Sequence, residues 1–252
     1  MEHRLDRLTT DGLSTLLQSH RVVALVPVGS VEPHGPHLPL ATDTLISLGA
    51  AERAAAELTA SDIVALVAPA VPYGVTDYAA GFAGAVSIPA DVLTPFLNAV
   101  VRGYLDTGLS HVCLVNNHLE PAQDAAVRAA LEGVPTGRAS IACPLTRRWG
   151  RLLSDEYKSG ACHAGQYETS LVLAVAPEAV DREAAAALPA LETSLSEGIK
   201  AGKKTFRELG LADAYTGAPA AATEAEGHEM LARLATMIVT EVREGLASTG
   251  EG

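Results

Sequence analysis

Two short stretches concentrate the residues able to hold a metal ion or move a proton. Glu32, His34, His37 and Asp43 follow one apolar run, and Asn116, Asn117, His118 and Glu120 follow another. Carboxylates and imidazoles together make a mixed oxygen and nitrogen donor set suited to Zn2+ or Mn2+. Glu32, His34, His37, Asp43, His118 and Glu120 are more ligands than one tetrahedral ion takes up, which points to two divalent metal ions per chain sharing a bridging carboxylate. In Glu32-Pro33-His34 and His118-Leu119-Glu120 the two ligand candidates are two residues apart, so an extended backbone projects both to the same side. Pro33 and Pro36 stiffen the first stretch, while Gly35 between them supplies backbone freedom. A lone histidine at a strand end is ordinarily a hydrogen-bonded loop residue. The clustering is the signal, because neighbouring carboxylates repel and need a cation to be stable together.

The elements around these stretches must bring them to one place. Val22–Val28 is a short, β-branched apolar run that reads as a strand buried on both faces. A Gly/Pro-rich loop over 29–41 leads to a helix capped by Thr42 or Asp43 and running to about Leu58, with Glu52 and Arg53 on its wet side. A second strand is predicted over 63–71, then a long glycine-rich loop over 72–84, which a length argument marks as functional or mobile. A helix at 91–107, a third strand at 111–115 and a helix at 122–131 with Pro121 in its first turn repeat the pattern. A fourth strand is predicted over 138–142, a helix over Gln166–Val175 and a long amphipathic helix over 224–244. The alternation predicts one α/β domain over 1–252, a three-layer α/β/α sandwich with a mostly parallel central sheet. In such sheets ligands sit beyond the carboxyl ends of the strands, where both polar stretches fall.

The composition narrows the partners. The chain has 252 residues, 48% hydrophobic and 19% charged, which is ordinary globular usage and excludes disorder, coiled coil and fibrous repeats. Its 18 basic against 30 acidic residues leave a net charge of −12, which argues against nucleic acid and an anionic membrane as partners. Cys113, Cys143 and Cys162 form no disulfide framework and fit a reducing compartment, so a cytoplasmic location is expected. The N-terminal residues lack the pattern of a signal peptide, and the apolar runs fall far short of the ~20 residues of a membrane span. Cys113 reads as core. Cys162 sits beside His163, but adjacent side chains on an extended chain point apart, which argues against a cysteine nucleophile. Trp149 fits either a lid or an interface, Lys203, Lys204 and Arg207 read as solvated surface, and His3, His20, His111 and His228 receive no role.

Gly29-Ser-Val-Glu-Pro-His-Gly-Pro-His-Leu-Pro-Leu-Ala-Thr-Asp43 resembles the signature of the creatininase family of metal-dependent amidohydrolases, G-S-x-E-Q-H-G-P-H-L-P-x-x-x-D. Asn116-Asn-His-Leu-Glu120 is similar to the family's N-G-H-x-x segment in the version with a Glu two residues after the His, and His163-Ala-Gly-Gln-Tyr-Glu-Thr-Ser170 to its H-A-G-x-x-E-T-S block. The resemblance implies Glu32, Asp43 and His118 on one ion and His34, Asp43 and Glu120 on the other, with Asp43 bridging. It places His163 and Glu168 against the substrate, His163 as proton donor to the leaving nitrogen, and makes His37 a supporting histidine. It also implies a creatininase-like fold, zinc or manganese as the metal, and a homo-oligomer, often a hexamer in relatives.

Departures bear on the substrate. Pro33 replaces the usual Gln, Asn117 replaces the Gly before the ligand His, Asp77-Tyr78 stand where Glu-His is common, and 158–162 lack a Trp. These features argue against creatinine itself. The expected reaction is therefore cleavage of a C–N amide bond in a cyclic amide, a formamide or a short peptide by a metal-activated water. Two alternatives stand beside it: a catalytically silent binding or scaffold protein, and a biosynthetic enzyme that forms an amide or lactam at the same site.

Overall fold

The computed structural model describes residues 2–61 and 63–248; Met1, Asp62 and 249–252, which fall within the domain expected over 1–252, lie outside the described residues. Four strands form one sheet: β1 (Val22–Val28), β2 (Val64–Val67), β3 (His111–Asn116) and β4 (Ala139–Ala142). All pairings are parallel, in the spatial order β2-β1-β3-β4, with Val23 opposite Ala65 and Val26 opposite Leu114. β1 and β3 are therefore the inner strands. Their carboxyl ends lie side by side, Val28 opposite Asn116, so the two polar stretches must emerge next to each other.

The helices follow in chain order: α1 (Thr10–Ser19), α2 (Thr42–Thr59), α3 (Ala90–Asp106), α4 (Pro121–Ala129), α5 (Arg147–Gly150), α6 (Asp155–Ser159), α7 (Gln166–Val175), α8 (Arg182–Ala187), α9 (Leu195–Lys200) and α10 (Glu224–Ala247). The alternation of side chains along each strand divides the core in two. Val23, Leu25, Ala65, Cys113 and Val115 face a layer with α2, α7 and α10, whereas Val22, Ala24, Val26, Val112 and Leu114 face α1, α3 and α4. This is the expected three-layer sandwich. Close approach within the first layer depends on glycine: a Cβ at Gly227 of α10 would occupy the space of the Ser170 carbonyl on α7.

Several boundaries differ from the sequence reading. The second strand ends at Val67, just before Pro69, which has no N–H for the ladder, and an isolated bridge joins Val71 to Val28 beyond it. Neither Thr42 nor Asp43 caps α2; both lie in its first turn after Ala41, since Thr42 donates to the Pro39 carbonyl at 2.7 Å and Asp43 faces histidines. α1 was not foreseen, although Leu13, Leu16 and Leu17 share one face and Thr9 caps it through Gly12 N at 3.2 Å. Among the described residues no helix is long and apolar enough to cross a membrane.

Candidate metal centre

The loop after β1 is shaped by its own backbone. Glu32 N–H donates to the Leu40 carbonyl at 3.1 Å and His34 bridges Leu38, closing the loop on itself. Gly35 takes a left-handed φ of +64°, which an L side chain rarely adopts. The end of β1 is joined to α2 and to the end of β3 by one hydroxyl. Ser47 Oγ donates to the Val28 carbonyl at 2.8 Å and accepts from both Asn117 N and Asn117 Nδ2 at 3.1 Å. Asn117, in place of the glycine of the resembled motif, thus has a positioning bond that glycine could not make.

These constraints bring Glu32, His34, Asp43, His118, Glu120, His163 and Glu168 together, all buried. His34 Nε2 lies 3.2 Å from Asp43 Oδ1, 3.5 Å from Glu168 Oε2 and 3.7 Å from Glu32 Oε1. His118 Nδ1 lies 3.1 Å from Asp43 Oδ2 and 3.4 Å from Glu32 Oε1. Asp43 therefore offers one oxygen to each histidine. Ligand atoms within 4.8 Å of one another form three groups: Glu32, His118 and Glu120; His34, Asp43 and Glu168; Glu32, His34 and His163. Glu120 sits with Glu32 and His118, while the carboxylate beside His34 and Asp43 is Glu168, a grouping different from the one the resemblance implies.

The ring tautomers test whether this cluster fits a cation. A carbonyl oxygen can only accept, so the nitrogen facing it carries the proton. His34 Nδ1–H donates to the Glu32 carbonyl at 3.2 Å, His118 Nε2–H to the Val75 carbonyl at 2.7 Å, and His163 Nε2–H to the Pro33 carbonyl at 3.0 Å. Each remaining nitrogen faces the carboxylates, and buried His34 Nε2 and Asp43 Oδ2 have no hydrogen-bond partner. An imidazole anchored through one nitrogen with the other turned to a group of carboxylates is arranged as metal ligands are. The donor set fits divalent metal ions.

Electrostatics agree. Burial alone would lower His34, but Asp43, Glu168 and Glu32 raise it to about 10, and His118 is likewise raised well above its usual value against burial by Glu32 and Asp43. Burial pushes Glu168 up to about 8 and Glu120 to about 7. Asp43, despite its burial, is held well below the carboxylate range by His34 and His118. Protons here occupy positions that a cation would satisfy. His163 differs: burial and the His34 charge lower it to about 4, so it is neutral, with Nδ1 3.9 Å from Glu32 and 4.0 Å from Glu168.

Surrounding residues complete the site. Thr76 Oγ1 donates to Glu32 Oε2, and Asp77 N and Tyr78 N donate to Glu120 at 3.0 and 3.2 Å. Val75 N in turn donates to Gln123 Oε1 at 2.8 Å, so the loop at 72–87 is tied to α4. Phe206 stacks on His163 with centroids 4.4 Å apart. The cleft over the cluster is small, about 50 Å³, and Leu195, Ile199 and Phe206 close one side of it. The sequence reading gave no role to Thr76, Leu195, Ile199 or Phe206. One signal was present for α9, since Ser194 and Glu197 have helix-start spacing and Glu197 N donates to Ser194 Oγ at 3.5 Å.

Other residues fall outside the cluster. His37 Nε2 pairs with Thr169 Oγ1 at 2.8 Å and burial lowers it to about 4. Cys113, Cys143 and Cys162 are free and buried, and burial holds the Cys162 thiol well above its usual value. Trp149 Nε1 donates to Glu241 on α10 at 2.6 Å. Lys203, Lys204 and Arg207 are exposed, as expected, and Arg207 lies 4.8 Å from the Phe82 ring centroid and donates to the Gly81 carbonyl.

A buried carboxylate and imidazole cluster at the carboxyl edge of an all-parallel sheet suits a metal-dependent hydrolase. The family described as creatininase, creatinine amidohydrolase, matches residues 6–242, and the chain belongs to that family. The mycofactocin precursor peptide peptidase of Mycolicibacterium smegmatis is 33% identical over 231 residues, 88% of this chain and 86% of the relative. The creatinine amidohydrolase of Pseudomonas putida is 27% identical over 180 residues, 63% of this chain and 66% of the relative. A solved structure named Creatininase Mn has the same fold, with a TM-score of 0.74 at 20% identity, covering 98% of this chain and 99% of that one.

Proposed function

We propose that this chain, as one domain over 1–252, hydrolyses a C–N amide bond of a short peptide or small amide with two divalent ions, zinc or manganese. One ion would lie among Glu32, His118 and Glu120 and the other among His34, Asp43 and Glu168, with Asp43 reaching toward both. The observation that carries this reading is the shared arrangement of His34, His118 and His163: each gives one N–H to a backbone carbonyl and turns its other nitrogen to the carboxylates. The 33% identity to a peptide peptidase supports the peptide among the candidate substrates. The three free cysteines support a cytoplasmic location, and exposed Tyr73, Val92 and Phe96 support an interface in a homo-oligomer.

When bound, the ions supply a water acidified toward neutral pH and polarisation of the substrate carbonyl. The chain's own residues do the rest. Neutral His163 presents Nδ1 as an acceptor, takes the proton that leaves the attacking water and passes it to the departing nitrogen, its ring fixed by the Pro33 carbonyl and Phe206. Glu168, held by Ala164 N–H at 2.7 Å, orients the His34 edge of the cluster. Elemental analysis of protein purified without chelator, paired with hydrolysis assays on short peptides, lactams and formamides, tests the reading. About two equivalents of zinc or manganese per chain are expected, and Asp43→Ala should lose both metal and activity. A folded wild-type protein that refuses Zn2+ and Mn2+, or full activity in Asp43→Ala, overturns it.

A further inference from the structure

The metal cleft does not end at the metal centre. A second cleft opens from it, sharing Leu119, Pro121, Cys162, Leu195 and Ile199. Its cavity volume is about 490 Å³, between the loop after β4, α5, α6 and α9. Its walls are largely carbon, with Pro144 and Leu145 facing the shared residues. The metal cleft, at about 50 Å³, has room for the scissile amide and little more, whereas the second cleft, at about 490 Å³, lies within the ~300–1,000 Å³ of small-molecule sites. The bulk of a substrate therefore has its room in the second cleft.

Its charge is one-sided. Arg147, Arg151, Lys158 and Lys200 line it, and no Asp or Glu among its lining residues balances them. Lys158 is held by Asp155 at 2.6 Å, and Arg148 of the same turn is directed away to Glu244 at 2.6 Å. Glu156, a half-buried acid next to α6's Tyr157, spends its carboxylate on Tyr167 N and Ala218 N at 2.8 and 2.7 Å. Arg147, Arg151 and Lys200 form no ion pair with another described residue. In a chain of net charge −12, three unpaired cations converging on one apolar cleft run against the average composition.

We propose that this second cleft is the subsite for the part of the substrate beyond the scissile bond, an apolar segment ending in a carboxylate. Carbon walls take the apolar side chains, and the guanidinium forks of Arg147 and Arg151 with the Lys200 ammonium take the anionic end. The inference rests on the amide hydrolase reading and narrows its substrate to a peptide-like acid rather than a compact neutral ring.

Binding of leucyl-phenylalanine and of its C-terminal amide, measured by calorimetry on metal-loaded and on chelator-treated protein, tests it. The free acid should bind about tenfold or more tightly than the amide in both forms. The preference should collapse in Arg151→Gln combined with Lys200→Gln and persist in Arg243→Gln, which lies in a separate groove with Arg21 and Ser61. Equal affinity for acid and amide, no binding of the acid at millimolar concentration, a preference present only with metal, or one that survives the double variant overturns the proposal. Hydrolysis of short amides by an enzyme without the preference removes this inference alone. The preference in a metal-loaded protein that cleaves no amide removes the hydrolase reading alone.

Discussion

Adding Zn2+ or Mn2+ to chelator-treated protein at constant pH should expel protons, in a number set by the buried cluster. Without a cation, His34 (about 10) and His118 (well above its usual value) each hold a proton at pH 7. Glu168, at about 8, is nearly fully protonated there, and Glu120, at about 7, is half protonated. Full occupancy needs these groups as bare donors, so about three protons per chain leave at pH 7 and fewer at pH 9, where the carboxyls are already ionised. Metal titrations by calorimetry in two buffers of equal pH and different ionisation enthalpy give the number directly. Fewer than about one proton per chain at pH 7, or a number that rises with pH, would refute the placement of the ions among these residues. The same shifts govern stability. His34, Glu120 and Glu168 have folded values raised above their unfolded ones, so their stabilisation is present at low pH and lost as pH rises through about 7 to 10. Chelator-treated protein should therefore lose stability between pH 6 and 9, while loaded protein should not. His163 and His37, lowered from 6.5 to about 4 on folding, add stability as pH rises to about 7 and so offset part of the loss only at the lower end of that window.

Thr76→Val keeps the side-chain shape but removes the O–H donated to buried Glu32, so metal affinity should fall about 10- to 100-fold with the fold intact, measured by competition with a chelating dye. Unchanged affinity would show that Glu32 needs no such support. Trp149→Phe should cost about 1 kcal/mol in denaturant unfolding through loss of the Glu241 bond, with KM unaltered; a raised KM would place Trp149 at the substrate instead. Iodoacetamide at pH 7 should leave both Cys162 and activity untouched, because burial keeps the thiol protonated; mass spectrometry showing rapid Cys162 modification with inactivation would contradict this.

The sheet and its long helices were legible because their signals are local. The β-branched run over Val22–Val28 and the segment over Gln166–Val175 emerge with the predicted bounds. α5, α6 and α9 were not foreseen, since helices of 4, 5 and 6 residues are too short to show an apolar period. They line the second cleft, so the surface most concerned with substrate choice was the least readable.

The sequence by itself determined which residues could ligate and, through two-residue spacing and the proline-stiffened loop, that Glu32 with His34 and His118 with Glu120 can project to one side of their loops. It also placed both pairs at one edge of a parallel sheet, because strand, loop and helix succeed one another along the chain. Only the tertiary structure decided which carboxylate meets which imidazole. Glu168 comes to His34, and Glu120 to Glu32 and His118, across folded distances that local spacing does not encode. It also decided which ring nitrogen turns inward. For His118 and His163 that choice belongs to the Val75 and Pro33 carbonyls, which lie 43 and 130 residues away along the chain. The residue supplies the imidazole; the acceptor that fixes its proton arrives only when the sheet and its loops are packed.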